Sequence, residues 1–537
     1  MKHTTPKQVW KISLALLLSL GILSACTAPA KTRGISDFDD FFDKYVALGL
    51  ADALLGWDIE TGGAPDGALD SRSRTIGIIE AELFTMAISD DMKAFHAAVE
   101  AAEKNGSVDD ITQATYRLTK SDYDKQMSIP VEEFQAFSEL TSVANAKWVE
   151  ARAADDYSMF SPYLQGIMDY NRKVVDWRAE AGLVYDNPYD AMLDDYEPGL
   201  TVAVMDAFFD ELRAEIVPLL DAIEASDKII RTDFKERDVP VAVQKNVADF
   251  LMDTVGFDFE HGVRAEAASP FTMSLSRSDV RITARYDEAA FFSAFYAIIH
   301  ESGHALYEQN TAPELEGTIL GRGVSFGIHE SQSRLLENMV GRNQAYLDAI
   351  YDEFQIVSEG YFADVSKQEL YEAMNVVRPT MIRITSDELT YSLHILVRYE
   401  IEKLIMNDHS ITADDLPAIW NEKMQEYLGI TPQTYAEGIL QDVHWSYGEF
   451  GYFPTYALGT AYAAQIWDAM GKDIDQEAAL AALDLDSINN WLHDKVHKYG
   501  SLLTPTQVFE NAVGASFDAR YYIEYLEGKY RELYGLG

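Results

Sequence analysis

The chain has 537 residues, 47% of them hydrophobic and 12% aromatic, which is enough to bury a large core and excludes a wholly disordered polymer. Its 43 basic residues face 88 acidic ones, a formal charge of −45. Charge of that sign and size repels phosphate backbones, so no nucleic-acid partner is expected, and it reads as a heavily solvated surface.

Residues 1–25 read as a processing signal rather than as part of the fold. Lys2, Lys7 and Lys11 precede an apolar run from Ile12 to Leu23, shorter than the roughly 20 residues that span a membrane. The run ends in Leu23-Ser24-Ala25-Cys26, which resembles the lipobox of bacterial lipoproteins, and Cys26 is the only cysteine. The expectation is a lipoprotein signal peptide over 1–25 and lipidation at Cys26. The protein would then be exported and lipid-anchored in the bacterial cell envelope, facing the periplasm, and would meet the membrane only through that anchor. Residues 26–35 read as a tether.

From there helical periodicity dominates. Phe38, Phe41, Phe42, Tyr45 and Val46 recur at 3- and 4-residue steps, and similar patterns run through Ile76–Ala102, Val131–Gly182 and Val202–Ile230. Such stripes are core-facing. No repeat and no linker interrupts them, so residues 36–537 are expected to form a single, mainly α domain. One stretch differs: Asp279 to Tyr286 alternates β-formers with polar residues, as a half-buried strand does, and leads to a helix with Asp287 as N-cap. A strand there is placed to pair along its edge with an extended peptide.

Within that helix stands His300-Glu301-Ser302-Gly303-His304. Histidines four apart on a helix project from one face, within reach of one tetrahedral zinc, and the intervening glutamate can serve water as general base. A third ligand is required. Tyr307 and Asn310 occupy the positions where the long astacin-like signature has glycine and histidine, so the ligand is expected from a following helix. That helix is expected after Gly327, with Glu330 and Glu337 two turns apart on one face; spacing does not choose between them. The one that does not ligate would pair with Arg334 or Arg342, or support a histidine.

These motifs continue in order along the chain. Asp279-Val280-Arg281-Ile282-Thr283 and His300–His304 are followed by His329-Glu330-Ser331-Gln332-Ser333 and Ile382-Arg383-Ile384-Thr385-Ser386-Asp387. Then come Gly438-Ile439-Leu440-Gln441-Asp442-Val443-His444-Trp445 and Gly451-Tyr452-Phe453-Pro454-Thr455-Tyr456. In this the chain resembles the carboxypeptidase Taq family of metallocarboxypeptidases. The resemblance implies a large helical zincin-like fold with a small β element beside the active-site helix, one Zn2+ per chain (Co2+ being the alternative), a homodimer, and Glu330 as third ligand. Two departures stand out: Ser269-Pro270-Phe271 where the family has His-Pro-Phe, and Ser386 where it has alanine.

The expected activity is release of C-terminal residues from peptides, with Glu301 as general base. A carboxypeptidase needs a fixed cation for the terminal carboxylate of its substrate. Arg383 fits that need, with Asp387 as its orienting partner or its mere i,i+4 neighbour. Gln441 and His444 would complete that pocket or polarise the carbonyl, and Tyr452 or Tyr456 would stabilise the oxyanion. Arg281 either touches substrate or pairs with Asp279 on one strand face. The alternatives are a zinc oligopeptidase or endopeptidase without a carboxylate anchor, and a non-catalytic peptide-binding lipoprotein.

Overall fold

The computed structural model describes residues 34–106 and 108–537. The expected signal peptide, Cys26 and all but the last two residues of the expected tether lie outside the described residues. No helix among them is long and apolar enough to cross a membrane.

Four helices come first, Asp39–Glu60, Leu69–Ala87, Asp90–Glu103 and Asp110–Ser128. Their apolar faces are thin, and a small separate core of Phe38, Met92, Phe95 and Val99 lies among them. Leu315 and Leu320 pack separately against Ala114, and most of the rest of the chain shares one continuous apolar core. It is fed by the helices Ser161–Glu180, Val202–Glu224, Phe291–Gln309, Glu388–Asn407, Phe453–Met470 and Arg520–Tyr534. Helix Glu388–Asn407 is apolar around most of its circumference and is therefore central: Leu389, Leu393, Ile395, Val397 and Ile401 are all fully buried. Glu388, Arg398 and Glu402 on that helix are buried with them, and each is held by a partner, as burial of charge demands.

Three short strands interrupt the helices: β1 (Gly262–Glu266), β2 (Thr272–Ser276) and β3 (Asp279–Ala284). Their order is β1-β3-β2, with β1 parallel and β2 antiparallel to β3. The expected strand is thus β3, ending two residues early. It is the central strand, hydrogen-bonded on both sides, and has no edge to offer a peptide. The outer strand that reaches the His300–His304 helix is β2, which alternates but is too short and too poor in β-branched and aromatic residues to stand out in the sequence. Asp287 does cap a helical turn, the 3-10 segment Glu288–Ala290, before helix Phe291–Gln309 begins.

Candidate metal centre and substrate groove

Helix Phe291–Gln309 presents His300 and His304 from one face, as the four-residue spacing dictates. The helix Phe326–Arg334 opposes it, capped by the Ser325 hydroxyl, which accepts from the Ile328 amide. From this second helix Glu330 Oε2 lies 3.6 Å from His300 Nε2 and 3.4 Å from His304 Nε2. Ligand atoms of the three residues all fall within 4.8 Å of one another. Four-coordinate zinc with bonds near 2.05 Å spaces its ligands roughly 3.4 Å apart, so two imidazole nitrogens and one carboxylate oxygen at these distances fit such an ion.

Two glycines make this approach possible. A Cβ on Gly303 would stand 2.5 Å from the Gln332 carbonyl oxygen, and one on Gly459 would stand 2.6 Å from the Glu330 Cβ. Past Arg334 the helix widens into a π-helical turn, Leu335–Val340, which carries Glu337. Glu337 does not join the ligand set. Its Oε2 lies 3.0 Å from His300 Nδ1 and accepts from Arg334, and its Oε1 accepts from Arg342. His300 is thereby oriented with its Nε2 toward Glu330. His304 is oriented differently: its Nδ1 lies 2.6 Å from His329 Nδ1, and His329 Nε2 lies 2.7 Å from Glu308 Oε1. A ligating His304 must then donate its Nδ1 proton to His329, and His329 its Nε2 proton to Glu308. Burial alone pushes the Glu330 carboxyl up, but Arg334 and His300 hold it well below the usual carboxylate range. It is an anion, ready for a cation.

Glu301 is buried on the same helix, and Thr272 of β2 donates its hydroxyl to Glu301 Oε2 at 2.6 Å. Burial raises its pKa above the ordinary glutamate value, against the opposing pull of His300 and Thr272. A carboxylate so raised is a better proton acceptor.

The second half of the site is assembled from distant segments. Arg383 stands in a 3-10 turn, Arg383–Thr385, and its Nε and Nη2 donate to Asp442 Oδ1 at 3.1 and 2.9 Å. Arg398 donates from Nε and Nη2 to the other oxygen, Oδ2, at 2.8 and 2.6 Å. Asp387, the expected partner of Arg383, instead caps helix Glu388–Asn407 by accepting from the Thr390 amide. Arg383 is not on a helix with Asp387, so the i,i+4 pairing does not arise. Gln441 braces the Arg383 turn: its Oε1 accepts from the Arg383 amide, and its Nε2 donates to the carbonyls of Met381, Glu437 and Gly438.

His444 packs beside Tyr452, Phe453 and Tyr456, at ring separations of 5.2, 4.5 and 6.4 Å. Burial, with Arg383 and Arg398 nearby, lowers its pKa to about 4 despite Asp442. Tyr391 links the two halves: Arg334 lies 4.1 Å above its ring, and its hydroxyl accepts from Arg383 at 3.4 Å. Arg281 pairs with Asp279 through two 2.8 Å bonds and lies over Trp57, which comes from the first helix and also meets Phe271 edge-on. Sequence reasoning gave no role to Arg398, Asp442, Thr272, Glu308 or His329. Asp442 and His329 were inside quoted motifs; the others carry no local signal.

A helix offering two imidazoles with a carboxylate between them, closed by a glutamate from the next helix, defines a metallopeptidase. Residues 37–530 match the carboxypeptidase Taq (M32) metallopeptidase family, and the chain belongs to it. Carboxypeptidase 1 of Bacillus subtilis is 40% identical over 499 residues, covering 93% of this chain and 98% of its own. Thermostable carboxypeptidase 1 of Pyrococcus furiosus is 35% identical over 497 residues, covering 90% and 96%. Among solved structures, the Deinococcus radiodurans M32 carboxypeptidase superposes with a TM-score of 0.88 at 33% identity, covering 93% of this chain and 99% of its own. The protein is an enzyme of this family, a metallocarboxypeptidase, and its mainly helical fold with a small sheet is the family's fold.

Proposed function

We propose that the protein is a zinc enzyme that shortens peptides from a free C-terminus, with zinc held by His300, His304 and Glu330. Zinc supplies Lewis acidity, lowering the pKa of water and polarising the scissile carbonyl. Glu301, held by Thr272, takes the proton from the attacking water and hands it to the leaving amine. The peptide lies extended along β2, with Arg281 at its flank. Tyr452 and Tyr456, whose rings stand 5.2 Å apart, offer phenol donors to the developing oxyanion, and His444, neutral above about pH 4, offers a further uncharged contact.

The observation that carries the terminal-carboxylate reading is a charge balance. Arg383 and Arg398 share one counter-ion, Asp442, with each of its oxygens committed to a different guanidinium. Within this contact cluster two guanidiniums meet one carboxylate, which leaves one positive charge without a match. Glu402, a turn away, is pushed up by burial to about 7, and its oxygens are taken by Trp445, Gly451 and Tyr189. A substrate carboxylate supplies the missing anion, and Arg383, with Nη1 on the Tyr391 side, is the one that meets it. Gln441 serves this pocket by fixing the Arg383 turn rather than by touching substrate.

The test is a mass-resolved digest of one peptide and its C-terminally amidated twin. The free peptide should shorten stepwise from its C-terminus, and the reaction should stop with chelator and resume with zinc. Cleavage indifferent to amidation would instead mark an oligopeptidase. Two further parts of the proposal rest on sequence alone. Cys26 at the end of an apolar run supports a lipid anchor in the cell envelope, which intact mass of the native N-terminus tests. The family resemblance supports a homodimer, which light scattering of the purified protein tests.

A further inference from the structure

Glu402 is fully buried, yet it is surrounded by the loop that carries His444 and leads to Tyr452. Its Oε1 accepts from the Trp445 indole Nε1 at 2.6 Å, and its Oε2 accepts from the Gly451 amide at 2.7 Å and from the Tyr189 hydroxyl. Trp445 is the neighbour of His444, and Gly451 is the neighbour of Tyr452. The same helix presents Arg398 one turn earlier, which grips Asp442. Two side chains four apart on one rigid helix thus pin the loop at Asp442, Trp445 and Gly451.

The pinned loop has little intrinsic order. It contains a single helical turn, His444–Tyr447, followed by left-handed glycines at Gly448 and Gly451. Gly451 is also pressed against the chain, since a Cβ there would lie 2.4 Å from the Met192 carbonyl oxygen. Without external bonds such a segment has many conformations. A buried carboxylate with three donors on it is costly to place and is therefore strongly geometry-fixing once satisfied.

We propose that Glu402 is a positioning residue for the reaction, setting His444 and Tyr452 through Trp445 and Gly451, while Arg398 independently sets the carboxylate pocket through Asp442. This rests on the site reading above. Glu402 touches no substrate, so its influence passes wholly through the loop. The division of labour has a kinetic signature: loss of Glu402 strikes groups that act in the transition state and leaves the Arg383–Asp442–Arg398 cluster standing, so kcat falls while KM holds.

The experiment compares wild type, Glu402→Gln, Glu402→Leu, Trp445→Phe and the double variant Glu402→Leu/Trp445→Phe, all zinc-loaded, on the free and amidated peptide pair. Glutamine keeps one acceptor and should lower kcat about 10-fold; leucine keeps none and should lower it about 100-fold, with KM within about threefold of wild type. Trp445→Phe should lower kcat about 10-fold with KM held, and the double variant should be no worse than Glu402→Leu alone, because leucine already removes the acceptor of the Trp445 indole. Unchanged kcat in soluble, zinc-loaded variants would overturn the proposal, as would a rise in KM alone or additive losses in the double variant. If the Glu402 variants do not fold, Trp445→Phe decides by itself. Wild type indifferent to amidation would break the carboxypeptidase reading, while the Glu402 effect on kcat would still be measured on its own terms.

Discussion

On the metal side of the site, His300, Glu301 and His304 come from one helix and Glu330 from the next; on the carboxylate side, Arg383, Arg398 and Asp442 come from three separate segments. The first arrangement is fixed by helical spacing and by second contacts that orient each imidazole. The second is fixed only by tertiary packing, with Gln441 acting as a brace for the Arg383 turn, a stretch that has little regular structure. The difference teaches where each half is vulnerable. Chemistry fails when a metal-side group changes, and substrate grip fails when the carboxylate side changes.

Four experiments break or sharpen that contrast. The largest effect is expected from Glu301→Gln, which should lower kcat by about 10³-fold with zinc content and KM preserved, as removal of a general base does. Arg383→Ala should lower kcat/KM on free peptides by about 10²-fold, mainly through KM, and leave the amidated peptide unaffected. Asp442 then keeps Arg398, so the cluster becomes neutral rather than collapsing. His329→Ala should weaken zinc binding by about 10- to 100-fold in a competitive chelator titration, with circular dichroism unchanged, because His304 loses its tautomer-fixing partner.

The smallest effect is on stability against acid. His304 and His444 titrate near pH 4 in the metal-free fold, His304 chiefly through burial, whereas an unfolded histidine titrates near 6.5. Between those values the unfolded chain binds more protons, so the stability present above about pH 6.5 is lost as the pH falls toward 4. Urea midpoints of the metal-free protein should drop across that window. Zinc, which keeps His300 and His304 unprotonated in the fold, should steepen that drop, and His444→Asn should remove the share due to His444.

The sequence exposed the two halves unequally for the same reason. The histidines and Glu301 were legible because their relation is local, and the helical body because its apolar stripes repeat every three or four residues. Spacing left Glu330 and Glu337 equivalent; what separates them is the opposing helix and the π turn, neither written in a seven-residue interval. Asp387 looks like the partner of Arg383 because it is four residues away, but it is itself a helix N-cap, and the true partner is 59 residues on. β2 and Thr272 escape notice because the strand, although it alternates, is only five residues long and holds no valine, isoleucine or aromatic residue to mark it as a strand. Arg398 and Glu402 were hidden by their helix, whose apolar neighbours made it look like plain core.

Gly303 and Gly459 bring three helices into backbone contact around the donor triangle. Its span is therefore set by main chain against main chain, before any ion arrives. An ion such as calcium, with bonds of about 2.3–2.6 Å, needs donors spread farther apart. Closely packed helices resist that spread, so the donor triangle suits a small cation by its span as well as by ligand chemistry, through two residues that have no side chain at all.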